Sequence, residues 1–471
     1  MSQSFGIEDI RFAFPSLYMD LSDLAIARSI EPAKLQKGLG LYEMGVCDTE
    51  EDVVTLAADA LIDIVKSNNL TPEEIGRIYV GTESSIDGSK PIASYLLGIL
   101  TQYFTEKGQL ENCLRHVDVV DMTFACIGAI DAMHNSLAWL RTEPDLKAIV
   151  IATDIANYDL ASSGEYTQGA GASAVLLGAN PSIMTISSQV GVSSACAHDF
   201  FKPLRLHSKT DVDIKGIHSY EEDIVSIHRE TPVFDGPLSN KTYQDRIVEA
   251  YNHFIEKSKV QADINQYDAY VFHLPYAYHG RRIFDQLFLD DLKSKGKLES
   301  FYSSLSVNRP DKSTMDADIY KQAKRAFAKA IVKSPEYSSI VKNKIERGER
   351  LSSKTGNVYT ASIFLALLST LEHHAADDQA LNKLLFIAYG SGSKSKVFEG
   401  VLSDTWKEKV STWKLNSQLE NRTRIDFDTY VNLRLHKITD NVSPTKPQVH
   451  LDNSGILETN RYAREYRLNK A

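Results

Sequence analysis

The stretch Asp121-Met122-Thr123-Phe124-Ala125-Cys126-Ile127-Gly128-Ala129-Ile130 decides how this chain is read. Just before it, His116-Val117-Asp118-Val119-Val120 alternates polar and apolar residues and is rich in Val, the pattern of a strand. Just after it, Ala129, Ala132, Met133, Ser136 and Leu140 recur at helical spacing. Cys126 therefore falls at a strand-to-helix turn, at or near a helix N-terminus. Free N–H groups and the positive end of the helix dipole favour a thiolate there. A thiolate so placed can carry an acyl group as a thioester. A lone cysteine is more often a small buried hydrophobe, so the other stretches of the chain have to decide.

Working outward, the strand Arg77 to Thr82 ends at Glu83, in the polar turn Glu83 to Pro91, and a helix is expected from Ala93. Thr49-Glu50-Glu51-Asp52 reads as a helix start with acidic residues in its first turn. Thr71-Pro72-Glu73-Glu74 carries a capping-box pattern. Ala148 to Asp154 is a nearly continuous apolar run, as expected of a central strand covered on both faces. Asp268 to Phe272 is a strand with His273-Leu274-Pro275-Tyr276 at its exit, and Thr355 to Thr360 begins an apolar helix through Leu368. Leu384 to Tyr389 is a strand followed by the turn Gly390-Ser391-Gly392. Strands and helices alternate in both halves, an α/β layered arrangement in which the second half repeats the first in pattern, not in residue identity. We divide the chain into an N-terminal half, residues 1–185, a C-terminal half, residues 186–405, with a charged helical insertion at about 281–350, and a C-terminal extension, residues 406–471. The span Leu206 to Arg229 reads as irregular and polar.

The 471 residues are 43% hydrophobic, enough for two to three domains or one large duplicated core. The net charge of −10 argues against a nucleic-acid-binding protein. Cys47, Cys113, Cys126 and Cys196 lie far apart without C-x-x-C spacing, which speaks against a zinc ribbon or redox pair and suits a reducing cytoplasm. No signal peptide, membrane span or metal-ligand cluster is indicated.

Three further positions suggest chemistry. Glu83, a carboxylate directly after an apolar strand, suits a general base on an acyl methyl group, although most such glutamates are solvated. His273 suits a donor to a carbonyl or alkoxide oxygen, stiffened by Pro275; the commoner fate is a satisfied structural histidine. Tyr389-Gly390-Ser391-Gly392 suits a backbone N–H donor aimed at a thioester oxygen, or simply a tight turn. Asn357 reads locally as a helix N-cap.

Taken together, Gly81-Thr82-Glu83-Ser84, Ala125-Cys126-Ile127-Gly128, Thr153-Asp154-Ile155-Ala156, Thr167-Gln168-Gly169-Ala170-Gly171-Ala172, Asp199-Phe200-Phe201-Lys202-Pro203, Phe272-His273-Leu274-Pro275, Gly356-Asn357-Val358-Tyr359-Thr360 and Tyr389-Gly390-Ser391-Gly392 resemble the 3-hydroxy-3-methylglutaryl-CoA (HMG-CoA) synthases of the thiolase superfamily. The resemblance runs from about Gly6 to about Gly400. It implies a thiolase-like α-β-α-β-α fold from two similar halves and a homodimer. It implies a cytoplasmic acyltransferase of the mevalonate pathway, using acetyl-CoA and acetoacetyl-CoA without a further cofactor or metal. Carried over by residue, Cys126 accepts the acetyl group, Glu83 takes the methyl proton and His273 polarises the ketone. Asn357 places the second substrate, and the N–H groups of Ser391 and Cys126 hold the thioester oxygen. Tyr389, Gly390, Thr167 and Gly169 stand around the substrates. Members often carry a Lys after the His-x-Pro stretch, assigned to the CoA phosphates; here Arg281 or Arg282 is expected to supply that charge.

The main alternative within this chemistry is an HMG-CoA-synthase-like enzyme of polyketide pathways, acting on a β-ketone held by an acyl carrier protein. It needs a basic docking patch, which the acidic net charge disfavours. A β-ketoacyl synthase-like enzyme usually lacks a glutamate at the position of Glu83. A catalytically dead thiolase-fold scaffold has no need of Cys126, Glu83 and His273 together.

Overall fold

The computed structural model describes residues 4–211, 223–260, 263–377, 380–452 and 463–469. The first half supplies strands β1 (Phe5–Ala13), β2 (Ile75–Gly81), β3 (Asp118–Met122), β4 (Lys147–Ala156) and β5 (Gly169–Ala179). The second supplies β6 (Met184–Ser194), β7 (Ala269–Phe272), β8 (Lys383–Gly390) and β9 (Lys394–Leu402). They form one nine-stranded mixed sheet in the order β7-β8-β9-β6-β1-β5-β4-β2-β3. The seam between the halves is thin: β1 and β6 pair antiparallel only at Gly6↔Thr185 and Ile7↔Met184. On one side of it β2 runs parallel to both β3 and β4, and on the other β7 runs parallel to β8.

The helices that matter for the site are α1 (Val53–Ser67), α2 (Ile92–Glu106), α3 (Gly128–Leu140), α4 (Gly236–Ser258) and α5 (Ser362–Ala376). Helices α1 and α2 cover one face of the first-half strands and share an apolar cluster with them. Helix α3 packs on the opposite face, and α3 and α5 belong to one cluster with strands of both halves. Helix α4 lies against β6 and β9. The layers therefore run α1/α2, strands, α3/α5, strands, α4, as expected for a thiolase-like fold. The continuous apolar run of β4 is explained by burial on both faces: Ala148 to Ala152 are fully buried. Helix α5 is buried from Ser362 to Leu371, which places it in the core rather than on the surface.

Several element ends shift from their sequence reading for local reasons. Helix α1 begins at Val53, not at Thr49, because Asp52 is the cap: its carboxylate accepts Val54 N–H at 2.8 Å and Thr55 N–H at 3.0 Å. Glu51 instead turns back to accept the N–H groups of Ser16 at 3.0 Å and Asp48 at 2.9 Å. The capping box at Thr71 closes a single 3₁₀ turn, Pro72–Glu74, that runs straight into β2. Within Leu206 to Arg229, residues 212–222 lie outside the described residues; those on either side form a hairpin pairing Leu204–Ser208 with Ile224–His228.

Residues 279–349 form a run of helices whose Phe284, Phe288, Phe301, Phe327 and Tyr337 enter the main cluster. Past residue 406, Thr423–Ile425 joins Leu17–Asp20 and Glu43–Val46 in a small sheet, followed by helix α6 (Phe427–Arg434). Among the described residues no helix is long and apolar enough to cross a membrane.

Gly81, the last residue of β2, lies against α3: a Cβ there would sit 2.1 Å from Ala129 N. Gly81→Ala is therefore expected to destabilise the fold by about 2 kcal/mol or more through overpacking. Gly88→Ala, where a Cβ meets nothing within 4 Å, serves as the control. Denaturant midpoints measure both, and equal midpoints refute the close approach of β2 to α3.

Candidate active site

Strand β3 ends at Met122 and α3 starts at Gly128, so Cys126 sits in the turn between them, one residue before the helix cap Ile127. Ala125 holds φ 41°, a left-handed conformation that a residue with a Cβ adopts at some cost. The turn is pressed from the other half of the molecule: a Cβ on Gly390 would lie 2.7 Å from Phe124 O and 3.0 Å from Ile127 N. Glycine at 390 thus lets the end of β8 reach the cysteine turn. Cys126 is buried, and its Sγ donates a hydrogen bond to Glu83 Oε1 at 2.9 Å.

Glu83 is held by the residues around it. Thr82 Oγ1, Glu83 N and Ser84 Oγ all donate to Asp154 Oδ1, at 3.1, 2.9 and 2.8 Å. Asp154 Oδ2 accepts Thr360 N at 2.9 Å, and also the Thr360 hydroxyl. Burial pushes the Glu83 carboxyl up to about 7; the Lys202 ammonium opposes that rise and the Asp154 carboxylate adds to it. Burial also pushes the Cys126 thiol well above its ordinary value, and the Glu83 carboxylate beside it adds to that. This corrects the expectation of a thiolate. Cys126 precedes the helix cap, and the carboxylate beside it is Glu83, so the surroundings favour a thiol hydrogen-bonded to that carboxylate.

A cavity of about 200 Å³ opens onto Cys126, and His273, Asn357, Tyr389, Ser391 and Thr167 line it too. His273 follows β7; its N–H donates to Ile387 O at 3.1 Å and its carbonyl accepts from Tyr243 OH at 2.8 Å. Burial pushes the imidazole down to about 3, so it is neutral, and its Nδ1 has no partner. Asn357 does not start α5: its Oδ1 accepts Tyr359 N at 2.9 Å and shapes the turn Tyr359–Ala361, with the helix following from Ser362. Its N–H donates to Thr167 O at 2.9 Å, joining two stretches of the cavity wall. The Gly390–Gly392 turn is fixed by buried Asp199, which accepts Tyr389 OH at 2.6 Å and Gly392 N at 2.9 Å.

Five expected site residues do not line the cavity. Glu83 stands behind Cys126 and meets the site through the thiol. Gly390 acts from behind, as described. Gly169 is a packing position, since a Cβ there would lie 2.4 Å from Thr355 O. Arg281 donates through Nε to buried Glu349 at 2.8 Å and lies 3.9 Å from the Tyr278 ring centre, so its charge is already neutralised. Arg282 is on the rim, with Nη1 3.3 Å from the hydroxyl of Tyr276, a cavity residue. Conversely, Asp154, Asp199 and Lys202 stood in the sequence only as parts of recognisable motifs. The signal that singles them out is a charged residue inside an otherwise apolar run, as at Asp154 after Ala148 to Thr153.

Comparison with known proteins follows this geometry. The family model described as hydroxymethylglutaryl-coenzyme A synthase N terminal matches residues 1–182, and the C-terminal model of the same name matches residues 217–456. The second match reaches beyond Gly400, so it takes in α6. The hydroxymethylglutaryl-CoA synthase of Haloferax volcanii is 29% identical over 433 residues, covering 91% of this chain and 90% of its own. That of Enterococcus faecalis is 29% identical over 428 residues, covering 91% and 90%. A solved structure of MvaS in complex with 3-hydroxy-3-methylglutaryl coenzyme A superposes with a TM-score of 0.77 at 27% identity, covering 100% of both chains. Both halves of the cavity, the turn that carries Cys126 and the strand exit that carries His273, fall within the two matched family regions, and this chain belongs to the hydroxymethylglutaryl-CoA synthase family.

Proposed function

We propose that the chain condenses acetyl-CoA with acetoacetyl-CoA and water to give 3-hydroxy-3-methylglutaryl-CoA and CoA, with the acetyl group carried on Cys126. The observation that carries this reading is the 2.9 Å hydrogen bond from the Cys126 thiol to Glu83, with Cys126 lining one cavity together with a neutral His273.

Glu83 takes the thiol proton as Sγ attacks the acetyl-CoA carbonyl, and the departing CoA sulfur leaves with that proton. The carboxylate, ionised again, takes a proton from the methyl of the acetyl-cysteine. The resulting enolate is stabilised by the N–H groups of Cys126 and Ser391 at the thioester oxygen. Its carbon attacks the ketone of acetoacetyl-CoA, whose oxygen His273 polarises with an N–H. The proton held by Glu83 passes to the new alkoxide, and water then cleaves the thioester to restore the Cys126 thiol. A neutral imidazole suits the polarising role, because it can donate a hydrogen bond to the ketone oxygen without placing a further buried charge in the cavity. Arg282, on the rim, is the better placed of the two arginines for a CoA phosphate.

The same reading places the reaction in the mevalonate pathway, in the cytoplasm and in a homodimer. Strand β3, partly exposed at the edge of the sheet, supports the last, since an open edge offers unpaired backbone groups to a second copy.

Three outcomes are expected. Purified protein turns over acetyl-CoA with acetoacetyl-CoA, and Cys126→Ala abolishes both turnover and the mass gain of one acetyl group; turnover surviving that substitution refutes the reading. Acetylation of Cys126 without turnover points instead to a carrier-bound acceptor. Glu83→Gln slows condensation by about 10²–10⁴-fold and, because Glu83 also takes the thiol proton, slows acetylation as well; rapid-quench measurement of the two half-reactions separates them, and condensation at the parent rate contradicts the methyl-proton role.

The third outcome concerns pH. The base form of Glu83 is the active one, so kcat/KM rises as pH increases through about 7. Alkylation of Cys126 by iodoacetamide, mapped by peptide mass, keeps climbing past the range where an ordinary thiol levels off. A plateau near neutrality would mean a resting thiolate.

A further inference from the structure

Lys202 is not among the residues assigned a step above, yet its side chain reaches the base. It follows the short strand Phe200–Phe201, which pairs with Val233–Phe234. Its Nζ donates to the carbonyl oxygen of Glu83 at 3.0 Å and lies 3.8 Å from Glu83 Oε2. It also sits 4.7 Å from the centre of the Tyr359 ring. The Lys202 side chain is only 10% exposed and that of Glu83 7%. A flexible, strongly hydrated ammonium is held out of water here by a carbonyl, a carboxylate and an aromatic face.

The groups facing Glu83 explain why a cation is needed. Cys126 comes from the turn before α3, Asp154 from β4, and the phenols of Tyr158 and Tyr359 from the cavity wall. Two carboxylates, Glu83 and Asp154, therefore share one buried space, and among the described residues Lys202 is the cation paired with Glu83. The separation also matters. Charge-assisted N–H···O contacts run at about 2.7–2.9 Å. At 3.8 Å the ammonium biases the carboxylate without capping it, because its hydrogen bond goes to the backbone carbonyl. Oε1 accepts from the Cys126 thiol, and Oε2 faces the ammonium without a short hydrogen bond to it.

We propose that Lys202 is a positioning residue whose ammonium keeps Glu83 in its basic form between proton transfers while leaving both carboxylate oxygens available. This rests on the reading of Glu83 as the base for the methyl proton, and it adds what sets that base. The direction follows from the sign of the charge: a cation favours the carboxylate, so removing it leaves Glu83 buried beside Asp154 and protonated to higher pH.

The test is a titration of Glu83 by infrared difference spectroscopy, following the carboxylic-acid C=O band that disappears in Glu83→Gln. In Lys202→Met the midpoint is expected to rise by about 1–3 pH units, and in Lys202→Arg to stay within about half a unit of the parent, since an opposite charge is restored. Lys202→Gln replaces the Met variant if that one does not fold. An unchanged midpoint in the charge-free variant overturns the proposal. In turnover, the acid limb of kcat/KM moves by the same amount and the rate recovers at high pH, whereas a purely structural role lowers the rate at every pH and leaves the limb in place. The titration needs no substrate. A shifted band in a protein that does not condense acetyl-CoA with acetoacetyl-CoA refutes the proposed function alone, and normal condensation with an unshifted band refutes the role of Lys202 alone.

Discussion

The site depends on one buried carboxylate that does not line the cavity. Asp154 is fully buried on β4, where a bare charge would cost several kcal/mol. It is offset by hydrogen bonds from both halves of the molecule: Thr82, Glu83 N and Ser84 at the exit of β2, and Thr360 from the turn before α5. Thr360 also donates to Gly81 O at 3.0 Å, so the β2 exit is held twice. Burial raises the Asp154 carboxyl, and the Thr360 hydroxyl, Lys202 and Glu83 N draw it back. The thin β1–β6 seam leaves the relation of the two halves to be fixed elsewhere. Asp154 ties them together beside Glu83, close to where Cys126 and the Thr360 turn meet. A residue that shortened or neutralised this side chain would orphan donors in both halves at once.

Where the chain turns was legible in the sequence. Cys126, Glu83 and His273 each follow a strand, as expected, and a strand exit is a local pattern. The layered fold was legible for the same reason, since alternating and continuous apolar runs report burial directly. What the sequence did not reveal was pairing across distance. Asp154 and Thr360 are 206 positions apart, and nothing near either one announces the other. Arg281 looked free to meet phosphate because its partner, Glu349, stands 68 positions away on another helix. Glu51 looked like the first turn of a helix until its carboxylate turned back to Ser16. The resting thiol at Cys126 was missed in the same way: a helix start is local, whereas burial and a neighbouring carboxylate are properties of the assembled site.

The C-terminal segment joins this assembly. Arg434 of α6 donates to Tyr158 O at 3.0 Å and also to the side chain of Gln168. Tyr430 accepts from Gln168 Nε2 at 2.7 Å. Arg28, near the N-terminus, donates to Glu165 at 2.8 Å. These contacts grip residues 158–168, the loop that contributes Tyr158, Tyr166 and Thr167 to the cavity wall. Trp413 anchors the same segment to the core through Asp9 at 3.0 Å. A stretch that reads as charged and irregular is therefore the outer support of the substrate wall, and its irregularity reflects many single contacts rather than one repeating face.

Catalysis and stability pull in opposite directions at the acidic groups of this fold. Burial pushes Glu83, Glu51 and Asp59 each up to about 7. In the unfolded chain such groups titrate near 4. A carboxyl whose folded value is raised binds its proton more tightly in the native state. Its contribution is fully present below about pH 4 and is lost as pH rises through about 7. Ionised Glu83 is thus the form the proposed chemistry uses and the form the fold holds least well. A cation beside it eases that conflict, because it stabilises the ionised state in place without admitting water to the cavity. Among the described residues Asp59, which accepts Val449 N at 3.1 Å, and Glu51, which accepts Ser16 N, form no ion pair; backbone N–H donors oppose their rise, with a lesser pull from Lys66 at Asp59. In the proposed mechanism Glu83 must give its proton up in every cycle, whereas no step calls on Glu51 or Asp59.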